Sequence, residues 1–358
     1  MKTLIIGTTA IILLGCAREH GGVVNASADV TRHGDEVFIG SARPWSLENK
    51  GNSVVGAYAA AMQSVGEDYT YAELMGLSAT AFRYQLHEEW CPSSPHSCVG
   101  FSTCSRCSAA LPFHVTGMSA NRDDTGGVAR IRATVKASID RGMPVPYGSE
   151  ENGLIVGYRA DGDEWLCVHP YHFSAGRFVE TNWPWGIAII GEPLASPPGR
   201  DALFADSLRC AVEMFETNKI GAYFCGRTAW EQWIAVLTND AGFASFAKNL
   251  RGTMQGNFWI YDSLVDARKA AVAYLENHSS HVAQPARGHV LNALAAYQRE
   301  VAILTNECPA EIAPPPWKLK KGEQWTAEQR HTQAAVLEQA FVCETNAIAN
   351  IKQVLTDL

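Results

Sequence analysis

The chain has 358 residues, with 29 Lys and Arg against 37 Asp and Glu, for a formal net charge of -8. Its 47% apolar and 18% charged residues are the proportions of an ordinary globular protein and exclude a disordered or fibrous one. The length suffices for two domains with a sizeable core, and the acidic balance argues against nucleic acid as a partner.

The N-terminus reads as a targeting segment. Met1-Lys2 is a short basic start, and Leu4 to Leu14 is an apolar run too short to span a bilayer. Leu13-Leu14-Gly15-Cys16 resembles the lipobox of bacterial lipoproteins. The resemblance implies a signal peptide over residues 1–15 and a lipid on Cys16. The protein would then be lipid-anchored in a bacterial cell envelope, facing the periplasm or the exterior. A plain secretory signal or an uncleaved anchor is the alternative reading. Ala17, with no Asp at that place, suits sorting to an outer membrane. Residues 16–42, rich in Gly, Ala, Ser and charge without period, predict a flexible tether.

Residues 43–195 predict a mixed domain. After the polar pair Asn52-Ser53, Val55, Tyr58, Met62 and Val65 make one apolar helical stripe, which Gly66 stops. Thr70-Tyr71-Ala72-Glu73 is a capping box for a second helix. A further helix carries Val128, Ile131, Val135 and Ile139 on one face and closes at Gly142. The period then turns to that of strands at Val145 to Tyr147, Leu154 to Tyr158, Trp165 to Val168 and Gly186 to Ile190. Asp161-Gly162 is a hairpin signal, and short turns throughout predict an antiparallel sheet. Helices first and an antiparallel sheet afterwards make an α+β order.

Pro193, Pro197 and Pro198 mark a boundary, and residues 199–358 read as all helical. Stripes at Phe204, Leu208, Val212 and Phe215, and at Trp230, Trp233, Ile234 and Leu237, are followed by one from Ile260 and one from Val290. After Pro314-Pro315-Pro316 the capping box Thr326-Ala327-Glu328-Gln329 starts a last helix. Five amphipathic helices with short links predict a bundle.

Three groups of residues are candidates for chemistry. Cys91, Cys98, Cys104 and Cys107 lie close in sequence, with His96 and His114 nearby. They read as a pair of disulfides, which suits an exported protein, as a tetrahedral zinc site, or as unpaired thiols. A thioredoxin-like pair would need Cys104-x-x-Cys107 to follow a strand and open a helix. Cys210, Cys225, Cys308 and Cys343 read as buried small hydrophobes in helices. His169 ends a predicted strand and is either a base beside a cleft or a satisfied surface residue. His278 and His281 lack a third nearby metal ligand, and Glu88-Glu89 and Glu150-Glu151 read as solvated faces. No phosphate-binding loop, dinucleotide fingerprint or nucleophile elbow is present, so no cofactor is expected.

The order of elements resembles the papain-like fold, and more closely the double-glycine-leader peptidase relatives and the N-terminal domain of the butirosin-biosynthesis acyltransferase family. Those domains open their first helix with a His-Cys or Asp-Cys pair and follow it with a phrase ending in Gly-Leu and a small residue. The corresponding phrase here is Leu74-Met75-Gly76-Leu77-Ser78. Their sheet carries a His before an apolar strand ending Gly-Tyr, then an Asp-Pro after the next strand. Here the strand is Leu154-Ile155-Val156-Gly157-Tyr158 and the pair is His169-Pro170. The likeness covers roughly residues 45–190. The chain departs from it at each catalytic position. Asn52-Ser53 stands where the Cys pair would be, Glu151-Asn152-Gly153 where the His would be, and His169 where the Asp would be.

The resemblance implies a degenerate papain-like domain that binds a peptide or a cell-envelope component without cleaving it. A hydrolase or acyltransferase using Ser53, with His169 as base, is the runner-up. A structural lipoprotein docking a partner through its Cys-rich loop is the third reading.

Overall fold

The computed structural model describes residues 29–46, 51–306 and 324–358. The signal segment, Cys16, the first half of the expected tether, Cys308 and Pro314 to Pro316 lie outside the described residues.

The elements run β1 (Val30–His33), β2 (Glu36–Ile39), α1 (Ser53–Ser64), α2 (Tyr71–Leu77), β3 (Gln85–His87), α3 (Cys104–Ala109), β4 (Phe113–Met118) and α4 (Thr125–Asp140). Strands β5 (Val145–Gly148), β6 (Gly153–Arg159), β7 (Glu164–Val168), β8 (Phe178–Glu180) and β9 (Gly186–Pro193) complete the first half. The second half is α5 (Arg200–Glu216), β10 (Lys219–Ile220), β11 (Tyr223–Cys225), α6 (Gly226–Thr238), α7 (Asp240–Phe246), α8 (Leu250–Ser279), α9 (Ala286–Asn306) and α10 (Ala327–Asp357). The architecture is α+β, with a curled antiparallel sheet and a C-terminal helical region.

Strand β6 is the hub of the sheet. One edge is shared by β5, at Gly153 to Ile155, and by β2, at Gly157 and Tyr158. Its other edge pairs with β7 along its length. Both faces of β6 are covered, which is why Leu154, Ile155 and Val156 are consecutive and buried rather than alternating. The Asp161-Gly162 turn joins β6 to β7 as the sequence predicts.

Four expectations need correction. The tether reading fails for its second half, because Val30 to Ile39 is a hairpin whose second strand pairs with β6. Its Val37 and Ile39 alternate inward, a short period-2 signal masked by the charged residues around it. The second half of the chain is not all helical: β10 and β11 form a hairpin that pairs with β3 from the first half. Cys225 accordingly ends a strand, whereas Cys210 and Cys343 lie on helices. Among the described residues that region has six helices, α5 to α10.

The apolar core does not stop at the prolines. Buried residues run continuously from the sheet through α1 and α2 to α5, α8, α9 and α10. A second cluster gathers Trp90, Trp230, Trp233 and Trp325 around α6 and α8. Two glycines let α8 approach closely. A Cβ on Gly256 would lie 1.7 Å from the Trp90 carbonyl oxygen, and one on Gly76 would lie 2.0 Å from the Tyr274 ring. Close by, Arg268 is fully buried between Glu300 (3.1 Å) and Glu344 (2.6 Å), and also donates to the Ala81 carbonyl (2.9 Å). That cluster ties α8, α9 and α10 to the segment after α2.

Polar links then fix the start of α1. The Asn52 side chain caps the helix by accepting from the Val55 amide (3.2 Å). Its backbone N–H donates to the Tyr71 hydroxyl (2.9 Å), which donates in turn to Asp266 on α8 (2.6 Å). Thr70 does cap α2 by accepting from the Glu73 amide. The reciprocal half of the expected box is absent among the described residues. The Glu73 carboxylate instead meets Arg200 (3.0 Å) and His278 (3.2 Å).

Candidate functional site

Ser53 is the first residue of α1. The amides of Ser53 and Val54 therefore belong to the helix's first turn, which no intrahelical carbonyl reaches, and stand at its positive end. Both residues line a cavity of about 600 Å³ between this helix start, the 91–99 loop, the loop before β6 and one face of α8. The wall is largely apolar, with Ile260, Leu264 and Ala267 contributed by α8.

The Ser53 hydroxyl donates to the Glu151 carboxylate (Oγ to Oε2, 2.5 Å) and accepts from the Asn152 backbone N–H (2.9 Å). Glu151 is therefore not part of a solvated face, as its sequence position suggests. It is half-buried, and its other oxygen accepts from the Tyr171 hydroxyl (3.3 Å). Burial raises its pKa above the usual carboxylate range, partly offset by the hydrogen bonds from Ser53 and Tyr171.

His169 is buried at the end of β7, and its ring is committed elsewhere. Nδ1 accepts from the Tyr171 amide (3.2 Å), which leaves the ring proton on Nε2, donating to the Glu151 carbonyl (3.2 Å). That carbonyl also accepts from the Ser149 hydroxyl. Burial pushes the His169 pKa below its ordinary value, so the ring is neutral near pH 7. Ser53 and His169 share no hydrogen bond; Glu151 stands between them, bonded to each through a different group.

The Cys-rich loop is gathered by hydrogen bonds. No disulfide joins the cysteines among the described residues, so the expected pairing of Cys91, Cys98, Cys104 and Cys107 is not formed. Among the described residues no three His, Cys, Asp or Glu side chains converge as a metal ion would require. Instead Arg83, buried, donates to the carbonyls of Pro95, His96, Val99 and Phe101 at 2.8–2.9 Å. Gln85 adds bonds to the Ser94 carbonyl and from the Phe101 amide, both 2.9 Å. The Asn52 amide nitrogen reaches the Ser97 hydroxyl (2.7 Å), tying the loop to the start of α1. Cys104 does open a helix, α3, while Cys107 is fully buried within it. Cys98 lines the cavity and is exposed.

Sequence reasoning missed several side chains of the cavity. Tyr171 and Trp185 stand 56% and 67% exposed at its edge, and Tyr84 lies in its wall. His96 was noted only beside the cysteines. Its Nδ1 accepts from the Cys98 amide (3.2 Å), so its Nε2 carries the proton. The only sequence signal for Tyr171 was its place two residues after His169. His278 and His281 are remote from this cavity, on the other side of α2 with Glu73 and Arg200.

No protein-family model matches the chain, and no curated protein matches it.

The geometry itself therefore limits the chemistry. A serine becomes a nucleophile when an adjacent base can take its proton. The imidazole expected for that task has its lone pair occupied by an amide and its N–H directed at a carbonyl. The group that does accept the Ser53 hydrogen bond is a carboxylate, a far weaker base than imidazole. What remains available is a pair of first-turn amides, an apolar wall and two exposed rings, which suit non-covalent binding of a carbonyl-bearing chain. Among the described residues no helix is long and apolar enough to cross a membrane.

Proposed function

We propose that the chain binds a peptide in the cavity between α1 and α8 and does not cleave it. One observation carries the reading: the His169 ring is locked onto the Tyr171 amide and the Glu151 carbonyl, with no bond to Ser53. A peptide carbonyl fits the Ser53 and Val54 amides, and side chains fit the apolar wall beyond. The domain reads as a degenerate papain-like one. In support, Ser53 at a helix start, Glu151 before β6 and His169 after β7 occupy the three positions that the family uses, and they are neighbours. The lipobox-like Leu-Leu-Gly-Cys supports an address on a bacterial cell envelope, with the ligand drawn from that compartment.

The 2.5 Å bond from Ser53 to Glu151 favours a second reading, a hydrolase or acyltransferase in which Glu151, not His169, receives the proton. The two readings separate in one experiment. The protein is immobilised and exposed to positional-scanning hexapeptide pools, and retained peptides are weighed intact. Retention of uncleaved peptides by the native protein and by Ser53→Ala alike is the expected result. Cleaved or transferred products that vanish in Ser53→Ala favour the second reading, and absence of selection above background overturns both.

A further inference from the structure

The walls of the cavity carry charge of mainly one sign. Glu150, Glu151 and Asp266 line it, and the one arginine there, Arg83, spends four N–H bonds on backbone carbonyls. His96 is neutral, its pKa lowered first by burial. Neither Glu150 nor Glu151 has a cationic partner among the described residues, although Glu151 is half out of water. Its hydrogen bonds from Ser53 and Tyr171 are neutral ones, and an incoming cation would add the counter-charge that it lacks.

Beside those carboxylates stand aromatic rings. Tyr171 and Trp185 are the exposed large aromatic side chains among the described residues, and both line this cavity. The Tyr171 hydroxyl is hydrogen-bonded to Glu151, which keeps ring and carboxylate together. A carboxylate beside an aromatic face is an arrangement that holds an ammonium or guanidinium group through charge and the ring quadrupole.

A second, independent observation lies in the same cavity wall. Tyr84, 5% exposed, lies in its wall, and its hydroxyl has no hydrogen-bond partner. A buried unpaired hydroxyl is costly unless something polar reaches it.

Resting on the peptide-binding reading above, we propose that the cavity selects peptides through one Lys or Arg side chain, held between Glu150 and Glu151 and the Tyr171 and Trp185 rings. The backbone of the peptide would lie along the start of α1, with its neutral neighbours directed at the apolar wall and Tyr84.

The hexapeptide pools test this separately from binding as such. Native protein should enrich pools with Lys or Arg fixed at one position. Glu150→Gln/Glu151→Gln should lose that enrichment, with binding of a selected basic peptide weakened about fivefold or more. Replacing its arginine by the isosteric, uncharged citrulline should weaken binding of the native protein alike, and 0.5 M salt should do so in part. Glu150→Gln alone changes an exposed side chain, and its loss should be intermediate. Enrichment of apolar or acidic positions, or equal binding of citrulline and arginine peptides, overturns the inference while leaving the binding reading intact. Selection of nothing overturns both.

Discussion

The Ser53 hydroxyl donates a hydrogen bond to the Glu151 carboxylate across 2.5 Å, while His169 holds the same residue by its backbone carbonyl. A side chain and a main chain of one residue thus separate a serine from the imidazole that a papain-like enzyme would set against its nucleophile. The charge on Glu151 is stabilised by Ser53 and Tyr171 against the cost of burial. Removing one of those donors must raise its pKa further. In Ser53→Ala, a carbon-detected NMR titration of the Glu151 carboxylate should show an upward shift relative to native protein, and no shift would detach Ser53 from Glu151 in solution.

Asp266 sets a pH dependence of stability. Burial raises its pKa to about 6, with the Tyr71 hydroxyl partly offsetting. Between the unfolded carboxylate pKa of roughly 4 and this folded value the native state binds more protons than the unfolded one. Stability should therefore fall as pH rises through that window and be recovered on acidification. Glu151 acts in the same direction. Denaturant unfolding at pH 4 to 6.5 should show this slope, and Asp266→Asn should flatten it; an unchanged slope would contradict the assignment.

The buried cluster of α8, α9 and α10 predicts unequal costs for its members. Glu300 sits with Glu344 around one arginine, and burial first, then Glu344, pushes its pKa well above the ordinary carboxylate value. Glu300→Gln should be nearly neutral in stability. Arg268→Met leaves Glu344 without its counter-charge and should cost about 3–5 kcal/mol. Urea unfolding of the two variants checks the contrast.

The 91–103 loop is held by Arg83 and Gln85. Arg83→Leu should free four carbonyls and loosen the loop, so that Cys107, buried in the native protein, becomes reactive to a maleimide before global unfolding. In native protein Cys98 should label first, because it is exposed. Equal protection of Cys107 in the variant would show that α3, not Arg83, guards it.

Much of this frame was legible in the residues. The stripe from Val55 to Val65, the Thr70 and Thr326 caps, the Asp161-Gly162 hairpin and the four strands Val145 to Ile190 read correctly, because local periodicity and turn chemistry decided them. The Val30–Ile39 hairpin and the β3–β11 pairing did not, since their strands are short and their partners distant in sequence. The site divided the same way. Ser53 could be placed at a helix start from its cap. That Glu151 would turn inward to it, or that the cysteine loop would be gathered by one arginine, depends on contacts across roughly a hundred residues and across loops, where no period exists to read.

Ser53, bonded to Glu151 and not to His169, should not behave as an activated nucleophile. Native protein should be treated with a fluorophosphonate from pH 5 to 9, and the adduct located by peptide mass spectrometry. No stoichiometric adduct on Ser53 is expected at any pH. A stoichiometric Ser53 adduct on native protein, lost in Glu151→Gln and after unfolding, would contradict it.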